Sequence, residues 1–130
     1  MWGLIGRNPT EAVAVPRPEH KEMRTLTHDE VQRLFESTSD DRLHALWVLL
    51  TTTGVRIGEA LGLRWSDVDA DGGRANIQRA LQRQRGRGLV FVEPKSAAAR
   101  RVVHLARHTV DTLALHQEAA NQMDRLFRTA

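Results

Sequence analysis

At 130 residues, with an apolar share of 41% and a net charge of +3, the chain has room for one modest domain with a single core. It contains no cysteine, which excludes a disulfide framework and a thiolate metal site and points to a reducing cytoplasm. The longest apolar run, Ala45–Leu50, is about a third of the ~20 residues a membrane-spanning helix needs, so no membrane partner is expected.

Residues 1–24 read as an interdomain linker. Asn8-Pro9 and Pro16-Arg17-Pro18 hold the backbone extended, and Trp2, Leu4 and Ile5 would suit the last turn of a helix from a preceding domain. A first helix follows Thr27, which forms a capping box with Glu30 and a hydrophobic staple from Leu26 to Val31. A second helix is predicted to begin near Asp40 or Asp41, with Leu43, Leu46, Trp47 and Leu50 as its buried stripe, and to end at Gly54 in a left-handed conformation. A third, from about Val55 to Leu63, would carry Arg56 in its first turn. After Trp65 the pattern changes to strands: Ala75–Leu81, Leu89–Val92 and Arg101–Leu105, with a hairpin framed by Gly86 and Gly88. A last helix from about Arg107 to Phe127 presents Val110, Leu113, Met123, Leu126 and Phe127. The fold class is therefore α+β, mainly helical, with a small three-stranded antiparallel sheet.

The charge is segregated. Residues 1–73 hold eight basic and twelve acidic side chains, whereas residues 74–107 hold nine basic ones against Glu93 alone. Most of those bases are arginines, whose planar fork matches two phosphate oxygens at once. Arg79, Arg83, Arg85, Arg87, Arg100 and Arg101 are thus candidate phosphate contacts, and nucleic acid is the leading partner. The histidines have no metal-ligand spacing, so no metal is expected.

Two stretches carry a resemblance. Thr53 to Asp69 reads T-G-V-R-I-G-E-A-L-G-L-R-W-S-D-V-D, and Glu93 to Leu105 reads E-P-K-S-A-A-A-R-R-V-V-H-L. They are similar to the first active-site box of the tyrosine recombinases and phage integrases, T-G-x-R-x-x-E-x-x-x-L-x-W-x-D-[VI]-D, and to their lysine hairpin, P-K-T-x-x-S-x-R-x-V-x-L. Ser96 stands in place of the usual Thr, and Ala99 in place of a common Ser. The resemblance implies that Arg56 grips the phosphate to be cut and stabilises the extra charge of a five-oxygen phosphorus centre. Glu59 would support it, and Lys95 would donate a proton to the departing 5′ oxygen. His104-Leu105-Ala106-Arg107-His108-Thr109 imitates the family's second arginine box but follows Lys95 too closely; His104 reads as a strand end and Arg107 as a helix start.

The resemblance extends from the linker at Asn8 through the last helix, and so covers most of the chain; it implies that 25–130 is the first half of a recombinase catalytic domain. The chain contains no tyrosine. In this family tyrosine forms the covalent link that stores the energy of the broken strand, so that neither metal, ATP nor another cofactor is needed. The expectation is a DNA-binding fragment of a site-specific recombinase or integrase from a phage or other mobile element, inactive alone. An apolar face left open would favour self-association or a missing C-terminal half. Two alternatives are a helix-turn-helix regulator built on Ile57–Leu63 and a decayed gene product without function. The first needs a recognition helix directly after Gly62, where Trp65–Gly72 is acidic and turn-rich.

Overall fold

The computed structural model describes residues 22–93 and 100–128, with side chains of the last helix described as far as residue 122. Most of the expected linker, and Lys95 with its turn, lie outside the described residues.

Helix α1 spans His28–Ser37. The Thr27 hydroxyl accepts the Glu30 N–H at 3.3 Å and the Glu30 carboxylate accepts the Thr27 N–H at 2.9 Å, the reciprocal cap expected from the sequence. Arg24 pairs with the same carboxylate.

Helix α2 spans His44–Thr53 and starts later than expected. Asp41 uses its carboxylate to close a local turn on the Leu43 N–H, at 2.9 Å, and no side chain caps the helix. Its buried residues are Ala45, Val48 and Leu49, while Leu43 and Trp47 of the expected stripe are 40% and 37% exposed. Because every residue from Ala45 to Leu50 is apolar, periodicity does not single out a face; packing against neighbours does. Gly54 ends the helix at φ 65, its N–H bonded to the Leu50 carbonyl.

Helix α3 spans Ile57–Gly62, shorter than expected, and is followed by a 3-10 turn at Trp65–Asp67 rather than a recognition helix. The strands are β1 (Val68–Asp69), β2 (Arg74–Ile77), β3 (Ala80–Gln84), β4 (Gly88–Val92) and β5 (Arg101–His104). The strand expected at Ala75–Leu81 breaks at Gln78 and Arg79, and its halves enter different sheets. One sheet is three-stranded and antiparallel in the order β1-β2-β5, with Ala75 opposite both Val68 and Val103. The other is the β3–β4 ribbon, in register from Ala80↔Val92 to Gln84↔Gly88. Its turn lies where the sequence placed it, with Gly86 and Gly88 at φ 79 and φ 74.

Helix α4 spans Arg107–Arg128. Leu113 is buried and Val110 half-buried, whereas Met123, Leu126 and Phe127 fall outside the described side chains. Ala45 and Leu49 of α2 and Leu113 of α4 meet Ala75 and Ile77 of β2, together with Val55, Ala60 and Leu105, in one core. The hydroxyls of Thr52 and Thr109 share a hydrogen bond of 3.0 Å that joins α2 to α4 where Thr109 is fully buried. No described helix is long and apolar enough to cross a membrane.

Candidate nucleic-acid interface

The site begins at the junction of α2 and α3. Gly54 turns the chain, Val55 anchors it in the core, and Arg56 stands at the N-cap of α3 in an extended conformation, φ −69 and ψ 146. Arg56 is thus one residue outside the helix, not in its first turn. Its side chain is 82% exposed.

Glu59, one turn into α3, organises the cluster from below. Its carboxylate is only 10% exposed, and Oε2 accepts the Arg56 backbone N–H at 2.9 Å. Arg101, at the start of β5, reaches it with both arms of its guanidinium, Nη1 to Oε1 at 3.0 Å and Nη2 to Oε2 at 2.8 Å. The Arg56 guanidinium has one longer contact, Nη1 to Oε1 at 3.4 Å. The hydrogen-bonded fork of Arg101, then the Arg56 N–H, hold the Glu59 carboxyl down at about 2 against the opposing effect of burial. The same fork raises Arg101 above the ordinary arginine value.

The arginine-rich segment divides by role. Arg83, Arg85 and Arg87 are exposed along the ribbon and its turn. Arg100 is exposed and pairs with Glu93 at 2.8 Å. Arg79 is turned inward: it pairs with Asp67, and the two side chains are 17% and 6% exposed. Asp67 also accepts the Arg64 N–H at 3.0 Å, so this pair ties the turn after α3 to the start of β3. Arg79 and Arg101, both expected at phosphates, therefore have their forks engaged by protein carboxylates. A charge count along the chain does not see those partners, which lie 12 and 42 residues away.

Arg64, absent from the expected contacts, lies 5.8 Å from the centre of the Phe91 ring and links the turn after α3 to the ribbon. The L-x-W pattern of Leu63-Arg64-Trp65 gives no hint of this, because Phe91 is remote in sequence. His104 closes β5 and Arg107 opens α4, where it pairs with Asp111; neither approaches Arg56 through any described contact. Among the described residues, no group of His, Cys, Asp and Glu could hold a metal ion.

The matches to known proteins bear on the same elements. Residues 24–128 match the model of the phage integrase family. A XerC-like tyrosine recombinase of Caldanaerobacter subterraneus is 34% identical over 86 residues, 62% of this chain and 22% of the relative. The XerA recombinase crystal structure superposes with a TM-score of 0.59 at 31% identity, covering 78% of this chain and 32% of that one. The Tn1549 transposon integrase, in a structure with transposon right end DNA, has the same fold at TM-score 0.65 and 22% identity, over 72% of this chain and 31% of that chain. The chain thus spans a third or less of the length of each of these relatives. With its family model matched from the α1 approach to the end of α4, the chain belongs to the phage integrase family, that of the tyrosine recombinases.

Proposed function

We propose that the chain supplies the phosphate-gripping part of a DNA recombinase of the integrase type, with double-stranded DNA as its partner. Arg56 holds the scissile phosphodiester, Glu59 positions it, and Lys95 protonates the leaving 5′ oxygen. Arg83, Arg85, Arg87 and Arg100 contact neighbouring phosphates without reading bases. Arg79 and Arg101 are left out of that set because their guanidiniums face carboxylates of the protein. With no tyrosine in the chain, no covalent protein–DNA link forms on it, so alone it binds DNA and breaks no strand.

The observation that carries this reading is the exposure of Arg56 beside a carboxylate already held by another arginine. A side chain that served only the fold would turn toward Glu59 and bury its fork. A fixed cation open to an outside anion stabilises a pentaoxy phosphorus centre more than the ground-state diester.

The test has two arms. Binding of a fluorescent mixed-sequence duplex is measured by anisotropy at several salt concentrations; Arg56→Ala should lower the slope of log affinity against log salt by roughly 0.9, the signature of one lost phosphate contact. An unchanged slope removes Arg56 from the interface. A nicked suicide duplex incubated with the wild-type chain should give no SDS-stable protein–DNA adduct, and the appearance of one would overturn the inactivity.

A further inference from the structure

Arg56 and Arg101 share one carboxylate, and the way they share it is unequal. Glu59 offers two oxygens. Arg101 takes both, at 2.8 and 3.0 Å, the Arg56 backbone takes one at 2.9 Å, and the Arg56 guanidinium keeps a single contact at 3.4 Å. Arg101 is the better placed competitor. It comes from β5, a strand of the sheet, and is 36% exposed; Arg56 hangs from a junction and is 82% exposed. A bidentate fork is stronger than a single long contact and fixes the geometry of the carboxylate.

Without that fork, the nearest cation to a largely buried carboxylate would be Arg56, three residues away on the same turn. A buried anion stripped of its partner recruits another, because an unpaired charge in a poorly hydrated place is costly. The Arg56 side chain would then fold down onto Glu59, and its charge and donors would be lost to an outside ligand.

We propose that Arg101 is a positioning residue for Arg56: by occupying both oxygens of Glu59 it keeps that carboxylate from capturing the Arg56 guanidinium, which stays open to a phosphate of DNA. This rests on the proposed role of Arg56 and adds to it a device in which one arginine is sacrificed to an internal acid so that another remains free.

The experiment measures the salt slope of binding to the same mixed-sequence duplex for six proteins: wild type, Arg56→Ala, Arg101→Gln, Arg101→Gln with Arg56→Ala, Glu59→Gln, and Arg101→Gln with Glu59→Gln. Glutamine at 59 still accepts the Arg56 backbone N–H through its amide oxygen but no longer attracts a guanidinium as an anion does. Arg56→Ala and Arg101→Gln should each lower the slope by roughly 0.9, and the two together by no more than either alone. Glu59→Gln added to Arg101→Gln should restore the slope, a rescue that a loss of fold would not give. If Arg56→Ala changes the slope and Arg101→Gln does not, the positioning role is overturned while the Arg56 assignment stands. Additive losses, or no rescue by Glu59→Gln, overturn it equally, since Arg101 would then be a phosphate contact in its own right or a purely structural residue. No effect of Arg56→Ala overturns the reading beneath it. Should Arg101→Gln fail to fold, Arg101→Lys keeps the charge but covers one oxygen, and an intermediate slope is expected; a slope equal to wild type would count against the proposal.

Discussion

A methyl group placed on Gly62 would stand 3.0 Å from the Cα of Ala80, with the Arg79 carbonyl and the Leu81 nitrogen each at 3.1 Å. A methyl group on Gly58, one turn earlier on α3, would stand closer still, 2.9 Å from the Leu81 carbonyl oxygen. The helix that follows Arg56 thus lies directly on the backbone of β3, and only a residue without a Cβ allows it. Gly62→Ala should destabilise the chain by about 1–3 kcal/mol despite the better helix propensity of alanine, because the obstacles are backbone atoms that cannot swing aside. A thermal melt checks it; a midpoint equal to or above that of the wild type would mean that α3 and β3 separate freely.

The Asp67–Arg79 pair is the most enclosed ion pair among the described residues. Asp67→Asn leaves a guanidinium with little water and no counter-charge, so a loss on the order of 3 kcal/mol is expected by chemical denaturation. Replacing both, as in Asp67→Asn with Arg79→Met, should recover part of that loss. If the single substitution costs under about 0.5 kcal/mol, the pair is better hydrated than its geometry implies.

Acid stability should report on Glu59. Its folded-state value of about 2 lies below the ordinary carboxyl value of 4.5, so between those pH values the unfolded chain takes up a proton that the folded chain does not. The stabilisation is fully present above about pH 4.5 and is lost as pH falls toward 2. A depression of this size corresponds to about 3 kcal/mol, reduced to about 2 because Arg101 is partly solvated. Urea titrations from pH 6 to pH 2.5 on wild type and Glu59→Gln should show a shallower decline in the variant. The lowered carboxyls of Glu30 and Asp69, held by the Thr27 and Arg74 contacts respectively, remain in both proteins. Parallel curves would remove Glu59 as a source of the acid sensitivity.

The ribbon arginines should act as a uniform electrostatic handle. Arg83→Gln, Arg85→Gln and Arg87→Gln together should lower the salt slope of duplex binding by up to roughly 2.7, with equal losses on unrelated DNA sequences. A loss confined to one duplex sequence would instead assign these side chains to base recognition.

Local signals were legible in the sequence, and distant partners were not. The Thr27–Glu30 cap, the Gly54 stop and the Gly86–Gly88 turn each depend on residues a few positions apart, and each lies where the sequence put it. The break at Gln78 and Arg79 was hidden because Ala75–Leu81 retains strand-like character on both sides of it, and only the crossing between two sheets shows it. The motif singled out Arg56 and Glu59 three positions apart, and the two are in contact. The inward turn of Arg79 and Arg101 was missed because like residues in one charge cluster differ only in which carboxylate the fold brings near.

Among the described residues the β3–β4 ribbon is bonded to no strand of the other sheet, and its contacts with the body include the glycine face of α3, the Arg64–Phe91 stacking and, at its base, the Asp67–Arg79 pair. It is therefore expected to open as its own cooperative unit, below the free energy that unravels the core. Amide protons of Leu81 to Val92 should exchange with deuterium well ahead of those of Ala75 and Ile77. On the DNA partner proposed above, the arginines it carries would ride on a strap that adjusts to the contour of a duplex, while the β1-β2-β5 sheet, which holds Ala75 and Ile77 in the core, would not.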